Sequence, residues 1–225
     1  MNDSVIAIDG PAASGKSSAA KGVASKLKKY YINTGNMYRA AGLEAINYGI
    51  NLDAPSESIL AELAAKTHIT YAKGENSELI LTVNGKPADM LKIRRNEISI
   101  AASNIAKSKV IREWLVEEQR KLVYLNGIIM EGRDIGTNVF PDAKYKFFLT
   151  ASPKVRAIRR LLQDGQPYNE ETIEVVAEEI RKRDEQDSKR EIAPLKQAED
   201  AILIDSSTLT LEEVIAKIIN HIISC

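Results

Sequence analysis

The sequence is short of several things, and each shortage removes a class of function. Of its 225 residues one is cysteine, Cys225 at the last position. No disulfide can close within the chain, which suits a reducing cytosol. The ending Ile222-Ile223-Ser224-Cys225 places that cysteine wrongly for prenylation, so it reads as an inert tail residue. The two histidines, His68 and His221, have no ligand-like neighbours and read as structural or surface residues. Aromatic residues make up 5% of the chain, too few for a surface on which bases stack. Neither sign of charge is in excess, with 31 Lys and Arg against 31 Asp and Glu. That balance argues against a general binder of nucleic acid or membrane surface; any basic site must be local. Met1-Asn2-Asp3-Ser4 has no basic region and no long apolar stretch, so no signal peptide is expected. No run reaches membrane-spanning length. There is no Asn-Lys-x-Asp guanine-reading motif and no Leu-Ser-Gly-Gly, which sets aside GTP switches and ABC-type ATPases. There is no internal repeat or low-complexity tract.

What is present is a chain with 44% hydrophobic residues, enough to build one α/β domain over 1–225 with an insertion or two. Its organising stretch is Gly10-Pro11-Ala12-Ala13-Ser14-Gly15-Lys16-Ser17. The apolar run Val5-Ile6-Ala7-Ile8 precedes it and an amphipathic run, Ser18 to Lys29, follows. Strand, glycine-bounded loop and helix in that order match the phosphate-loop spacing G-x-x-x-x-G-K-[ST]. Such a loop turns backbone N–H groups toward phosphate oxygens, and the next helix adds its free amides and positive dipole end. In this pattern Lys16 reaches the β- and γ-phosphates of ATP, and the Ser17 hydroxyl can ligate Mg²⁺. The motif predicts triphosphate binding at Gly10 to Ser18 and leaves the phosphoryl acceptor open.

Along the chain, Ser4–Asp9, Tyr30–Ile32, Ile128–Met130, Ala143–Thr150 and Ala201–Ile204 read as short buried parallel strands. Between them the pattern predicts helices. One runs from Asn33 to about Tyr48, and one starts near Pro55 with Ile59, Leu60, Leu63 and Ala64 inward. Others resume at Arg94, and Ser108 caps one carrying Val110, Ile111, Trp114, Leu115 and Leu122, with Trp114 packed in the core. Ser152-Pro153 and Asn169 open two more, and Thr210-Leu211-Glu212-Glu213 is a capping box for a last helix burying Leu211, Val214, Ile215 and Ile218. From His68 the texture changes. Ile69-Thr70-Tyr71, a Gly74-Glu75-Asn76 turn, Leu79 to Val83 and then Asn84-Gly85 predict a small antiparallel sheet, an insertion over 67–92. The dense charge run 181–190 reads, on composition alone, as a solvated helix face with ion pairs such as Arg183 with Asp187.

Several blocks carry a resemblance. Ile8-Asp9-Gly10-Pro11 leads into the phosphate loop. Thr34-Gly35-x-x-Tyr38-Arg39, Arg94-x-x-Glu97-Ile98-Ser99 with Ala102-Ser103, and Val110-x-Arg112 follow. Glu131-Gly132-Arg133-Asp134-Ile135-Gly136-Thr137 comes with Phe140-Pro141-Asp142-Ala143, and Arg183-Asp184-x-x-Asp187-x-x-Arg190 with Pro194-Leu195. Over nearly its whole length the chain resembles the bacterial cytidylate kinases of the nucleoside monophosphate kinase group. It departs from them in three places: Asn33-Thr34-Gly35 stands where Asp-Ser-Gly is expected, Glu131 where Asp is common, and Ser18 where Thr is frequent.

The resemblance implies a P-loop kinase fold: a five-stranded parallel sheet flanked by helices, the antiparallel β insertion at 67–92 in the monophosphate-binding region, and a short lid at 155–168. It implies transfer of the γ-phosphoryl of ATP to CMP or dCMP. Arg39, Arg133 and Arg190 would hold the acceptor phosphate with Thr34, and Tyr38 would lie in the same binding region. Arg183 and Asp187 would contact the ribose, and Ser103, Arg112 and Asp134 would read the cytosine. Arg156 and Arg160 would close from the lid over the phosphate in transfer. With Lys16, Arg133 and Arg190 these arginines would make the catalytic set. The resemblance also implies a monomer, while the single cysteine points to the cytoplasm and the balanced charge to no nucleic-acid or membrane partner. On the residues alone, another small-molecule P-loop kinase acting on UMP, AMP or shikimate, or a nucleotide-binding module without an acceptor, stays open.

Overall fold

The computed structural model describes residues 2–75 and 78–224. The expected turn at Gly74-Glu75-Asn76 falls partly, and Cys225 wholly, outside these residues. In chain order the elements are β1 (Asn2–Asp9), α1 (Lys16–Leu27), β2 (Tyr30–Asn33), α2 (Thr34–Asn47), α3 (Glu57–Lys66), β3 (Ile69–Lys73), β4 (Leu79–Val83) and β5 (Lys86–Pro87). Then come α4 (Met90–Ile93), α5 (Asn96–Ile105), α6 (Lys109–Lys121), β6 (Ile128–Gly132), β7 (Ala143–Thr150), α7 (Pro153–Gln163), α8 (Glu170–Ser188), β8 (Ile202–Asp205) and α9 (Leu211–Ser224).

Among the described residues, five strands form one sheet in the order β2-β6-β1-β7-β8. β1 lies between β6 and β7 and pairs in parallel with both, while β8 pairs in parallel with β7. A central strand has no edge and helices cover both its faces, which is why Val5 to Ile8 is apolar without alternation. The chain divides into two compact units, residues 1–31 with 127–225, and residues 32–126.

In the first unit the core is Ile6, Ile8, Ile129, Phe147, Leu149 and Ile204 from the sheet, with Ala19, Ala20 and Val23 of α1 and Val214, Ile215 and Ile218 of α9. Gly22 lets α1 and α9 approach: a Cβ there would lie 2.2 Å from Ile215 Cδ1. His221 sets its ring edge-on to Phe147 at 5.7 Å. A second cluster, Ala157, Leu161, Ile173, Ala177 and Ile180, packs α7 on α8. Ser152 caps α7 with Pro153 in its first turn, and Asn169 and Thr172 cap α8 reciprocally. Thr210 and Glu213 exchange the bonds of a capping box at α9.

In the second unit, β3, β4 and β5 form the separate antiparallel sheet. Asn84 and Gly85, both with positive φ (50° and 75°), make the two-residue turn between β4 and β5. Ser108 caps α6 by accepting from Ile111 N. α2 packs closely on α5 at Gly42.

Some expectations are corrected. Ile59 is 48% and Leu211 42% exposed: each sits in the opening turn of its helix, one turn before the buried Leu63 and Ile215 on the same face. Trp114 is half-buried. The helix expected from Arg94 begins instead at Asn96, after the one-turn α4. Leu122 falls outside α6, in a 3₁₀ turn that closes at Asn126 with φ 51°. A π turn over Ile135–Val139 had no signature in the periodicity.

Gly42 supplies a test of packing against propensity. Alanine in a helix interior gains about 1 kcal/mol over glycine. A Cβ at Gly42, however, would lie 2.9 Å from Ala102 N, a backbone atom that cannot swing away. We expect Gly42→Ala to destabilise the protein by roughly 1–3 kcal/mol in urea unfolding, steric crowding outweighing the helix gain.

Candidate active site

The phosphate loop in the first unit is shaped by what holds its carbonyl oxygens. Arg133 Nη1 donates to Gly10 O at 2.9 Å. Lys16 Nζ donates to Pro11 O at 3.0 Å. Arg156 Nη1 donates to Ala12 O at 3.1 Å, and Arg159 Nη1 to Ser14 O at 3.2 Å. Ser206 Oγ also donates to Ser14 O, at 3.1 Å. A carbonyl turned toward an anion would repel it; here each of these is tied to a cation. Gly10 has no room for a side chain, since a Cβ would fall 2.1 Å from Leu149 O, and its φ is 152°. Ala13 and Gly15 also take positive φ, 56° and 88°. Ser17 is half-buried and Ser18 exposed in the first turn of α1.

Acidic groups hold these cations in turn. Asp187, buried on α8, pairs with Arg133 Nε at 2.8 Å and with Arg190. Burial alone would raise its pKa, but Arg133 and Arg190 outweigh that and hold it below the usual carboxylate range. The solvated face expected for 181–190 is therefore wrong at Asp187: that part of the helix turns inward, to partners from β6 and beyond. Asp184 pairs with Arg156 and accepts from Ala12 N at 3.2 Å. Arg156 Nε and Ser14 Oγ are buried polar atoms with no hydrogen-bond partner. Arg160, named alongside Arg156, pairs with Asp164 at 2.8 Å instead of with the loop.

Lys16 is 8% exposed, and burial pulls its pKa down to about 7. Arg133 and Arg183 push the same way, against Glu131 and Asp187. Glu131, at the C-terminal end of β6, accepts from the Tyr31 hydroxyl at 2.8 Å. Asp134 is buried and accepts from Asn138 Nδ2 at 3.0 Å. The sheet thus delivers Gly10, Glu131, Arg133 and Asp134 at its C-terminal edge, the edge where open α/β sheets bind ligands.

The second unit holds a polar group of its own. Thr34 is buried at the start of α2, where Asn33 caps the helix. Arg39 Nε donates to Ser99 Oγ at 3.2 Å and its Nη1 to Asn36 Oδ1 at 3.4 Å. Arg112 is 3% exposed; its Nε donates to Ala106 O at 2.9 Å and its guanidinium lies over the Tyr38 ring at 5.6 Å. Ser103 is half-buried on α5, one turn after Ser99. Residues from α2, α5 and α6 thus come together around Tyr38, Arg39 and Arg112.

Sequence reading did not assign roles to Asp9, Arg159, Asp184 or Ser206. Asp9 and Asp184 stand inside quoted motifs, and Arg159 shares a face with Arg156, so a signal existed for each. Ser206 had none, because its contact with Ser14 spans 192 residues.

The family model for cytidylate kinase matches residues 6–224. The chain belongs to the cytidylate kinase family. It is 41% identical to a cytidylate kinase of Bacillus anthracis (strain CDC 684 / NRRL 3495) over 218 residues, 97% of this chain and 95% of that one. It is 42% identical to a cytidylate kinase of Bacillus cereus (strain ATCC 10987 / NRS 248) over 215 residues, 96% and 94% of the two chains. Cytidylate kinases are phosphotransferases, and an enzyme of this family needs a triphosphate cradle and cations to set against its phosphates. The first unit holds the phosphate-loop motif with Lys16, Arg133, Arg156 and Arg159 bonded to its carbonyls.

Asp9 gives this site a pH signature. Burial raises its pKa to about 7, against the lowering effect of the Gly136 and Ile135 amides. A carboxyl that binds its proton more tightly when folded contributes stability that is complete below about pH 3.8 and lost as pH rises through about 7. The Asp9→Asn variant lacks that loss. Urea unfolding of both proteins at pH 5 and pH 8 is expected to shift the stability difference toward the variant at the higher pH.

Proposed function

We propose that this protein transfers the γ-phosphoryl group of ATP to CMP or dCMP, giving ADP and CDP or dCDP. The observation that carries the reading is the loop itself: Lys16 buried within it, its carbonyls tied to cations, and the Arg133–Asp187–Arg190 cluster beside it. Membership of the cytidylate kinase family supports the choice of acceptor.

The acceptor is already a phosphate anion, so the reaction needs positioning and charge neutralisation more than a strong base. Lys16 would neutralise the β- and γ-phosphates, with the amides of residues 10–18 around them. Arg133 and Arg190 would hold the acceptor phosphate, with Thr34 and Arg39. Both first-unit arginines share Asp187, which fixes their guanidinium planes before the ligand arrives and so lowers the cost of ordering them. Arg183 and Asp187 would contact the ribose. Ser103, Arg112 and Asp134 would read the base, with Tyr38 under the Arg112 guanidinium. Cytosine offers an N4 amine donor beside N3 and O2 acceptors, which suits a carboxylate and a guanidinium. Uracil puts a carbonyl in place of the amine, and its oxygen would face Asp134.

Residues 155–168 would act as the lid. Arg156, with one nitrogen unpartnered, would turn to the phosphate in transfer, and Arg160 would join it by leaving Asp164. Lid closure excludes the water that would otherwise hydrolyse ATP.

Mg²⁺ fits the donor set. Among the described residues no group of three or more His, Cys, Asp or Glu could cage a metal. Mg²⁺ keeps its waters and binds chiefly through substrate phosphates with one or two protein oxygens, a demand that the Ser17 hydroxyl and the Glu131 carboxylate could meet. It would neutralise charge on the triphosphate. The protein would work as a monomer in the cytoplasm; among the described residues no helix is long and apolar enough to cross a membrane.

The test is ADP release with CMP, dCMP, UMP, AMP and GMP as acceptors. CMP and dCMP should turn over best; a clear preference for another acceptor would overturn the reading. Lys16→Ala should cut turnover by at least about a hundredfold with the fold intact by circular dichroism, the scale of losing a transition-state charge partner. Near-normal turnover in that variant would remove the loop from the mechanism.

A further inference from the structure

Asp9 is a buried carboxyl to which the reading above gives no task. It ends β1, at the centre of the sheet, immediately before Gly10, and is 5% exposed. Its Oδ1 accepts from Ile135 N at 2.9 Å and its Oδ2 from Gly136 N at 2.7 Å. These amides open the π turn Ile135–Val139, in which Val139 N donates to Asp134 O at 3.1 Å and Phe140 N to Ile135 O at 2.7 Å. The first amides of such a turn have no partner within it. A carboxylate aligned with both of them fixes the position and the tilt of the turn.

Resting on the cytidylate kinase reading, we propose that Asp9 is a positioning residue for acceptor-base selection: it locks the turn that begins at Asp134. Two further contacts make the lock specific to that side chain. Arg133 Nη1 reaches back to Gly10 O, so the dipeptide Asp9-Gly10 grips the chain on both sides of Asp134. Asn138, inside the same turn, donates to Asp134 Oδ2 and sets the plane of its carboxylate. A tilt of the turn would therefore move the base-reading carboxylate directly. Beneath the turn there is little slack. A Cβ on Gly136 would meet Lys146 Cδ at 3.2 Å, and Lys146 is itself held by Pro141 O and Asp200.

Chemistry explains why this residue should be Asp. An Asn side chain has one acceptor oxygen, and its amide would set N–H against N–H at the other position. Asp9 is also placed badly for direct catalysis, since both of its oxygens face backbone amides in the protein interior.

The experiment measures kcat/KM for CMP and for UMP, together with KM for ATP, in the wild type, Asp9→Asn and Gly136→Ala. The variant Asp9→Asn strains the lock from β1; Gly136→Ala strains it from the turn and keeps Asp9 intact. In both, the CMP-to-UMP ratio is expected to fall by about tenfold or more, with KM for ATP changing less than about threefold. A purely structural role would lower the amount of active enzyme for both acceptors alike and leave the ratio unchanged. That result, in whichever variant folds, overturns the proposal. A wild type without preference for CMP would instead overturn the functional reading beneath it.

Discussion

The structure of the first unit depends on the capture of peptide carbonyls by cations. A loop that accepts a polyanion must keep its own oxygens away from it, and backbone geometry alone does not do this at Gly10, Pro11, Ala12 and Ser14. Lys16, Arg133, Arg156 and Arg159 do, each with a short bond to a loop oxygen. Those cations lie in a mostly buried setting, where unpaired charge is costly. Asp184 and Asp187 offset that cost for Arg156 and Arg133, and so α8 belongs to the phosphate loop as much as α1 does. The contacts that shape the loop are made by groups the proposed reaction would use.

This explains the unusual electrostatics of Lys16. Its ammonium sits among guanidinium groups, in an interior that favours the neutral amine. Gathering like charges in a buried setting is a common condition of functional sites.

Much of this was legible in the sequence, for reasons that differ by element. The strands of the sheet could be read because central parallel strands must be apolar on both faces, and the helices because Ser108, Ser152, Asn169 and Thr210 are caps with little other use. Asn84-Gly85 announced its turn because few other pairs tolerate two positive φ angles. The charge run 181–190 resisted reading. Periodicity places Asp187 on a helix, but only the path of β6 and the segment after α8 bring Arg133 and Arg190 to it. The π turn resisted for a similar reason: its stability comes from a carboxylate 126 residues away in sequence, not from any propensity of Ile135 to Val139. The exposure of Ile59 and Leu211 shows the limit of apolar spacing at a helix's opening turn, where the apolar stripe runs past the core.

Ser206 carries a consequence for how the protein is made. Its hydroxyl, with one proton to give, lies within hydrogen-bond distance of both Ser14 O and Thr150 O, and its backbone N–H also ends on Thr150 O. During synthesis the loop leaves the ribosome well ahead of the residue that fastens it, which follows 192 residues later. The strands flanking β1 are late as well, beginning at Ile128 and Ala143. Until those strands emerge β1 waits as an unpaired apolar segment, and the loop can set only once Ser206, 192 residues beyond Ser14, has followed.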